Sequence, residues 1–502
     1  MARPFNRPMI VVATMLSAVL QALDNTIANV ALPHMQGTLS ATMEEMSWVL
    51  TSYIVAAAVT LPLTGWLADR YGRKRVILTS VIGFTIASAL CGMAQSLDQI
   101  LVCRVLQGIA GASLMPMSQA VLFDIYPPSQ HGKAMSLWGI GVTLAPTLAP
   151  MLGGWLTDNY SWRWVFYINV PFGILAIIGL ILYYPDTKHQ KKSFDFFGFI
   201  ALSFAVGFLQ IFLDRGPTKG WFDSPELKIE LAVCALALYL FLVHSFTAKA
   251  PFVRLSIYKD RNYFTASLLI LYLGVLLYSV LALIAPLLQG LLGYSVLQSG
   301  SAMAPRGVGT LVAMLIAGRL VGRVDSRLII VTGLAITAVG LYQMSHFSMT
   351  MDSTTIAIAN VLQGFGTGAT YVPLATIGFM TLPAEMRNEA SALFNLLRNL
   401  GSSVGISTVQ GLLVHNTQVV HAALSEHVTA YSLAQHHALG PLSGGQATAA
   451  LNDSVTAQAT MIAYLDDFHL MLIVTIVTAF ALLFLRNTSG AVKDTEQHAV
   501  FE

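Results

Sequence analysis

Charged side chains are scarce in this sequence. Of the 502 residues, only 10% are Asp, Glu, Lys or Arg and 55% are hydrophobic, whereas a soluble globular protein carries about 25% charged residues. So few charges cannot cover the surface of a water-soluble protein of this length. The composition therefore predicts an all-α polytopic membrane protein. The net charge of +2 points to neither a nucleic acid nor an acidic partner.

The sequence also lacks the residue patterns of catalysis, cofactor binding and metal binding. It contains no GxSxG, HExxH or Walker A motif. Its three cysteines, Cys91, Cys103 and Cys234, lie within apolar runs and have neither disulfide nor metal-ligand spacing. We therefore predict no enzyme activity, no cofactor and no bound metal.

Apolar runs of roughly 20 residues, each long enough to cross a bilayer, dominate the chain. The first is interpreted as a span rather than a signal peptide, because it is too long and polar residues interrupt it. With the N-terminus in the cytoplasm, nineteen Lys and Arg lie in cytoplasmic segments and three in the opposite loops, so both termini are predicted to be cytoplasmic. The fourteen predicted spans are 10–33, 47–67, 76–96, 99–122, 134–156, 164–184, 195–213, 227–248, 263–285, 300–320, 328–346, 354–380, 390–415 and 462–486.

An internal repeat divides the spans. The tetrapeptide VLQG occurs at 105–108 and again at 361–364, an offset of 256, which matches spans 1–6 with spans 9–14. The alternative is that both copies reflect a common helix-packing pattern. Parallel repeats of six spans are a transporter architecture with the binding site near the midplane between the halves. The predicted divisions are an N-terminal bundle (1–184), an inserted hairpin of spans 7 and 8 with its flanking loops (185–262), a C-terminal bundle (263–486) and a cytoplasmic tail (487–502).

The longest predicted loop, at about 416–460, contains no Lys or Arg and falls on the non-cytoplasmic side. Two forms are open for it, a helix pair outside the membrane and a flexible flap. Asp466 and Asp467, which follow this loop at the start of span 14, are interpreted as helix N-terminal aspartates.

Two opposite charges lie inside predicted spans 1 and 4. Counted at about 1.5 Å per residue, Asp24 lies roughly 14 Å below the outer end of span 1, and Arg104 lies roughly 8 Å below the outer end of span 4. Charges within a membrane generally pair and mark ion pathways, so we expect Asp24 and Arg104 to be partners. The alternative is an arginine that extends to the outer headgroups.

Other polar residues within the spans are candidates for a substrate cavity. Span 1 carries a stripe that faces either a cavity or another helix, because Ser17, Gln21, Asp24 with Asn25, and Asn29 recur at three- and four-residue steps. The aromatic residues of span 9 could equally serve packing. The predicted cavity residues are Gln21, Asn25, Gln107, Tyr272, Tyr278, Arg306 and Arg398.

Two further motifs predict helix packing and gating. The segment GWLADRYGRKRVIL (65–78) combines a glycine that permits close helix approach with a carboxylate that can pair with Arg73 or a helix N-terminus. The segment GVTLAPTLAPMLGGWL (141–156) repeats small residues at four-residue steps beside a ridge of helix breakers. The residues that we assign to gating and packing are Gly65, Asp69, Arg70, Gly72, Arg73, Pro146, Pro150, Gly153 and Gly154.

Segments 65–78, 101–116 and 141–156 resemble the signature motifs of the major facilitator superfamily. LDNTIANVALP (23–33) and WRWVFYINVP (162–171) resemble its fourteen-span drug:proton antiporter branch, and in particular the EmrB-type exporters. The resemblance implies a major facilitator fold of two six-helix bundles plus the inserted hairpin. It also implies that Asp24 and Arg104 couple proton movement to transport, and that Asp69, Arg70 and Arg73 form a cytoplasmic gate.

By the same resemblance, the expected function is proton-driven export of amphipathic toxic compounds across the bacterial inner membrane. The expected partners are those compounds, protons and the lipid bilayer. The resemblance leaves two possibilities for protein partners: a transporter that works with a periplasmic membrane-fusion adaptor and an outer-membrane channel, or a transporter that acts alone. A transporter of one specific metabolite and a non-transporting sensor or scaffold are the alternatives.

Overall fold

The computed structural model describes residues 6–127, 130–186, 193–383, 386–426 and 445–484. These residues are almost entirely helical, and the only extended pairing among them is an isolated bridge between Val321 and Val324. The α-helices are α1 (Arg7–Leu39), α2 (Met43–Thr60), α3 (Leu63–Tyr71), α4 (Arg73–Met93), α5 (Leu97–Gly111), α6 (Leu114–Ile125), α7 (His131–Asn159), α8 (Trp164–Tyr167), α9 (Asn169–Tyr183), α10 (Phe196–Lys219), α11 (Pro225–Thr247), α12 (Arg261–Pro286), α13 (Val296–Leu320), α14 (Ser326–Met344), α15 (Ser353–Met380), α16 (Arg387–Glu426) and α17 (Gly445–Ala479).

Eleven helical segments in the described residues are long and apolar enough to cross a membrane. The bent pair Glu45–Thr60 and Leu63–Tyr71, which meet at 53°, raises the number to twelve. Helices also occupy the two remaining predicted positions, α15 and α16, but they are not among these apolar segments. The count of fourteen spans is therefore not confirmed. Both helices carry polar side chains that are buried inside the protein, among them Gln363 and Arg398, and this lowers their apolar content.

Local capping contacts fix where several helices begin. At the start of α2, Thr42 Oγ1 accepts a hydrogen bond from the Glu45 amide while the Glu45 carboxylate accepts one from the Thr42 amide. Ser295 and Gln298 make the same reciprocal pair at the start of α13. Such boxes satisfy amides that have no partner within the first turn of a helix. They define the helix ends near the membrane boundaries, where backbone groups need partners.

The helices form two halves. Helices α1–α9 make the N-terminal half, and α12–α17 make the C-terminal half. Helix α7 packs against α1 on one side and against α13 of the other half on the other side. Helix α10 of the hairpin packs against α11, α2 and α16. We call the end of the bundle that carries Arg7, Arg73 and Arg387 the basic end.

One expectation about the C-terminal half is wrong. Helix α17 begins at Gly445 rather than near residue 462, so Asp466 and Asp467 lie more than twenty residues inside a helix and are not helix N-terminal. The polar residues that suggested a loop continue the same helix beyond the apolar part, as α16 also does to Glu426. The middle of the predicted loop, 427–444, and the tail from 485 lie outside the described residues.

Candidate functional site

Asp24 lies at the centre of a buried polar network in the N-terminal half. The residue is 0% exposed, and its two carboxylate oxygens accept hydrogen bonds from three side chains. Arg104 Nη1 donates to Oδ2 at 2.6 Å. Gln107 Nε2 at 2.9 Å and Asn169 Nδ2 at 3.1 Å both donate to Oδ1. The contact expected between Asp24 and Arg104 is therefore present, and the carboxylate is held by α5 and α9 together.

Arg104 is equally enclosed. Its Nε donates to the backbone oxygen of Val49 at 3.0 Å, and its Nη1 also reaches Gln107 Oε1 at 2.8 Å. The guanidinium carbon lies 4.1 Å from the centre of the Tyr53 ring, a geometry in which a cation is attracted by the face of an aromatic ring. The headgroup alternative for Arg104 is thus wrong for this structure, because the side chain is buried among α2 and α5 and points to Asp24.

Sequence reasoning missed two members of this network. Asn169 begins α9, donates to Asp24, and also donates to Ser88 Oγ at 3.1 Å. Tyr53 supplies the aromatic face for Arg104. Neither residue carries a charge within its span, so neither stood out as Asp24 and Arg104 did. An amide in an otherwise apolar helix was the signal available for Asn169.

A small cavity of about 40 Å³ lies between the two halves. Its walls are mostly apolar and aromatic, and Arg398 is the one charged residue among the described residues that line it. Trp138 of α7 stacks on Tyr371 of α15 with ring centres 5.9 Å apart, so the two halves meet across the cavity. The lining includes Trp138, Val142, Tyr278, Met314, Tyr371 and Arg398.

A chain of contacts connects the Asp24 network with this cavity. Gln21, one helical turn from Asp24, accepts a hydrogen bond from the Met115 amide at 3.0 Å. The Met115 sulfur in turn accepts one from Arg398 Nη2 at 2.7 Å. Arg398 lines the cavity and belongs to the other half. A change at Asp24 that moves α1 would therefore reach the cavity through Gln21 and Met115.

Two of the seven predicted cavity residues, Tyr278 and Arg398, line the cavity. The other five do not. Helical spacing predicts the side of a helix on which a residue lies, but it does not predict which neighbour that side contacts. Gln21 and Gln107 belong to the contacts described above. The Tyr272 hydroxyl donates to Thr475 Oγ1 at 2.6 Å.

Arg306 and Asn25 complete that set. Arg306 is buried one turn from the cavity, and its Nη2 donates to the Leu277 oxygen at 3.2 Å. Its Nη1 has no hydrogen-bond partner among the described residues. Asn25 is half-buried beside Asp24, and its Oδ1 likewise has no partner within the described part of the chain.

The predicted gate motif joins the two halves at the basic end. Asn388, the second residue of α16, donates from Nδ2 to Asp69 Oδ1 at 2.6 Å and accepts from Arg73 Nε at 2.7 Å. A methyl group added at Gly65 would lie 3.1 Å from the Glu389 Cα atom. Helix α3 can therefore approach α16 closely because residue 65 is glycine. Asn388 and Glu389 could not be assigned to this contact from sequence alone.

Arg73 makes further contacts at the same end. It forms an ion pair with Asp124 of α6. Tyr184 is buried close to the Arg73 guanidinium.

The turn of the motif depends on Gly72. Its φ of +86° lies in the region that favours glycine, and it separates α3 from α4. Arg70 points away from the joint toward aromatic rings, with its guanidinium carbon 5.6 Å from the Trp66 ring centre and 5.9 Å from the Tyr71 ring centre.

The small-residue face of α7 packs against α1. A methyl group added at Gly153 would meet Ile27 Cγ1 at 3.0 Å, and one at Gly141 would meet the Met15 methyl carbon at 2.6 Å. Gly154 and Pro146 are also buried, and Pro150 is half-buried. On the opposite face, Ser136 Oγ donates to the Met314 oxygen of α13 at 2.6 Å. Helix α7 thus contacts both halves.

Comparisons with known proteins agree with this architecture. Residues 14–406 match the Major Facilitator Superfamily profile. Among solved structures, the proton:xylose symporter XylE superimposes with a TM-score of 0.61 at 13% identity, covering 96% of each chain. The human organic anion transporter MFSD10 gives 0.58 at 14% identity, covering 93% of this chain and 99% of that one. At these identities the likeness shows the fold alone.

The sequence relatives are closer. Multidrug export protein EmrB of Escherichia coli (strain K12) is 36% identical over 424 residues, which cover 84% of this chain and 83% of the relative. Fatty acid resistance protein FarB of Neisseria gonorrhoeae is 36% identical over 456 residues, covering 89% and 90%. These matches point to a transporter rather than an enzyme. The chain is a multi-pass membrane protein that belongs to the major facilitator superfamily, and within it to the EmrB-type transporters.

Proposed function

We propose that this protein exports amphipathic toxic compounds, with Asp24 as its proton carrier, by alternating access between the two halves. One observation carries the proposal: a fully buried carboxylate is linked through Gln21, Met115 and Arg398 to a largely apolar cavity between the halves. Its relatives include a multidrug export protein and a fatty acid resistance protein. The proposed location is the bacterial inner membrane with both termini in the cytoplasm.

The contacts of Asp24 suit a group that is alternately charged and neutral. Its ionised form is stabilised by a guanidinium and two amides, and opposite charges and hydrogen bonds favour an ionised carboxylate, whereas burial favours a protonated one. A conformational change that alters any of these contacts changes the balance between the ionised and the protonated form of Asp24. Asp24 can therefore take up a proton when it faces one side and release it when it faces the other.

The test compares Asp24→Asn with the wild type in proteoliposomes that carry a pH gradient. Asparagine keeps the shape and hydrogen bonding of the side chain but cannot titrate. We expect the variant to bind drug while showing neither drug-induced proton flux nor uphill drug movement. Gradient-driven export at near the wild-type rate in Asp24→Asn would refute the carrier role.

We further infer that the preferred compounds carry an acidic group. Arg398 lines the cavity. Within the described part of the chain its Nε has no partner, and no Asp or Glu lines the cavity there. A cation in an apolar cavity favours an anionic ligand and disfavours a cationic one.

Paired substrates test this inference. An amphipathic carboxylic acid and its methyl ester share their apolar part, and we expect the acid to be bound at least tenfold more tightly by the wild type. Arg398→Gln should abolish that difference while Arg398→Lys retains part of it. Equal binding of acid and ester by the wild type, measured by equilibrium binding to purified protein, would contradict the inference. A protein that binds one compound only would instead favour the single-metabolite alternative.

The resemblance to EmrB-type exporters also supports a periplasmic adaptor as partner. Helix α16 contains 40 residues, roughly 60 Å of helix, and extends with α17 beyond the bundle at the end opposite the basic end. We propose that this extension is where an adaptor would bind. Co-purification from cells with an adaptor that has a single membrane anchor, lost when residues 416–426 are replaced, tests this assignment.

A further inference from the structure

Asp467 is a second buried carboxylate, in the C-terminal half. It lies within α17 and is 1% exposed. Neither of its side-chain oxygens has a hydrogen-bond partner among the described residues. Asp24, by contrast, accepts three hydrogen bonds. The two acids are equally buried, but only one of them is compensated by neighbouring donors.

Buried apolar side chains lie close to Asp467 along α17. Phe468 packs edge-on against Phe347, with ring centres 6.2 Å apart, and Met471 is buried one turn further along α17. The titratable groups that act on Asp467 are Asp466 and Tyr464 of its own helix. Asp466 is exposed.

The helices packed against this part of the chain supply no compensating charge. They are α12, α14 and α16, and within the described residues none of their Lys, Arg or His side chains forms an ion pair with Asp467. The hydrogen bond from Tyr272 of α12 to Thr475 of α17 lies two turns away from Asp467. An isolated ionised carboxylate in such surroundings is strongly destabilised and is neutralised by a proton.

The position of Asp467 corresponds to a position used in the N-terminal half. Helices α9 and α17 are the last helices of their halves. Asn169 lies 14 residues, roughly 21 Å, before the end of α9, and Asp467 lies 12 residues, roughly 18 Å, before the end of α17. Asn169 donates to Asp24. Asp467 in the C-terminal half therefore lies at about the same depth as Asn169, the partner of Asp24, in the N-terminal half.

The internal repeat extends this correspondence. Gln107, which donates to Asp24, matches Gln363 at the offset of 256. Both side-chain amide atoms of Gln363 are buried without a partner among the described residues. Each half thus places polar groups at the same positions, but in the C-terminal half they do not neutralise an acid.

We propose that Asp467 is a second proton-binding site, whose proton is exchanged during the transport cycle. The proposal rests on the proposed function, since it adds a second proton to the proton-coupled export proposed for Asp24. When α17 is packed as in this structure, Asp467 binds the proton as a neutral carboxylic acid. When the packing of α17 against α12, α14 and α16 changes and water reaches Asp467, the ionised form is stabilised and the proton is released.

Infrared spectroscopy tests the bound proton without any transport assay. Protein reconstituted in lipid at neutral pH should show the C=O band of a buried protonated carboxyl group. The band should be lost in Asp467→Asn and kept in Asp466→Asn, which removes the neighbouring exposed carboxylate. A wild-type spectrum without this band, or a band that survives in Asp467→Asn, would overturn the proposal. The wild-type measurement needs no variant to fold.

Transport stoichiometry tests the exchange of the proton. In proteoliposomes held at zero membrane potential, the drug gradient that balances a given pH gradient gives the number of protons per drug. We expect this number to fall by one in Asp467→Asn and to stay unchanged in Asp466→Asn. An unchanged number in Asp467→Asn, with coupling abolished in Asp24→Asn, would refute this site and leave the proposed function intact. An unchanged number of protons per drug in both Asp467→Asn and Asp24→Asn would refute both the Asp467 site and the proposed function of Asp24.

Discussion

The carboxylate of Asp24 accepts hydrogen bonds from Arg104, Gln107 and Asn169, which lie on two other helices of the N-terminal half. Burial of an unpaired charge costs several kcal/mol, and these three donors offset that cost for the ionised form. Arg104 is held in turn by the Val49 oxygen and the Tyr53 ring. At the scale of single residues, these contacts compensate a carboxylate that is buried inside the membrane region.

Replacement of Arg104 by leucine should therefore destabilise the protein more than removal of both charges. Arg104→Leu leaves Asp24 buried without its cation, and breaking a buried pair in this way costs about 3–5 kcal/mol. The double variant Asp24→Asn/Arg104→Leu removes both charges of this pair and should recover most of that loss. The measurement is the thermal unfolding midpoint of each purified protein in the same detergent.

A matched control is available at the surface. Arg319 of α13 is more exposed, and Arg319→Leu should leave the unfolding midpoint close to that of the wild type. A single Arg104→Leu variant as stable as Arg319→Leu would show that the contact contributes little. A double variant less stable than Arg104→Leu would show that Asp24 has a stabilising role of its own.

At the scale of helices, α7 has two different faces. The face toward α1 is lined by small residues, and Gly153 lies so close to Ile27 that even a methyl group would require an adjustment. The other face packs against α13 of the opposite half. Because α7 contacts both halves, a change on its α1 face should alter how the halves move relative to each other.

Gly153→Val should therefore impair transport without preventing membrane insertion. The branched side chain would overlap Ile27 and Val30, and overpacking of this kind costs about 1–3 kcal/mol. We expect export to fall several-fold at equal protein levels in the membrane. Gly37→Val is the control, because Gly37 on α1 has no neighbouring atom within 4 Å of an added methyl group. Normal export by Gly153→Val would show that this contact is not used in the transport cycle.

How much of the site could be predicted from sequence depends on the kind of side chain. Asp24 and Arg104 could be paired in advance, because charges within apolar runs are rare and residue counts give their depth. Asn169 could not, since an uncharged amide gives no sign of its partner. The contact through Met115 uses a backbone amide and a sulfur atom, which no sequence pattern reveals.

The same reasoning explains the errors about whole elements. The long apolar runs located the helices well, because hydropathy decides where a chain can cross a bilayer. Sequence patterns do not predict the start of α17 at Gly445, because the first part of this helix is polar and resembles a loop in composition. As a consequence, Asp467 was interpreted as a helix N-terminal residue, although it is buried well inside the helix.

At the scale of the whole molecule, polar contacts join the two halves at the basic end. Asn388 at the start of α16 bonds both Asp69 and Arg73 of the other half, and Glu389 lies against Gly65. In the proposed alternating-access cycle, we expect these contacts to form when the basic end is closed and to break when it opens. Their free energy would then set how often the basic end opens.

Asp69→Asn should shift this equilibrium toward the state that is open at the basic end. A hydrogen bond to a charged group contributes about 1.5–3 kcal/mol, and each 1.4 kcal/mol corresponds to about a tenfold change in an equilibrium. With Cys91, Cys103 and Cys234 replaced and a reporter cysteine at Val142 in the cavity lining, a thiol reagent supplied from the basic side should react about tenfold faster in the variant. Drug affinity should change little, because Asp69 does not line the cavity.

Asp98→Asn removes an exposed carboxylate from the first turn of α5 and should leave the labelling rate unchanged. A large loss of drug affinity in Asp69→Asn, with labelling as slow as in Asp98→Asn, would assign Asp69 to substrate binding instead.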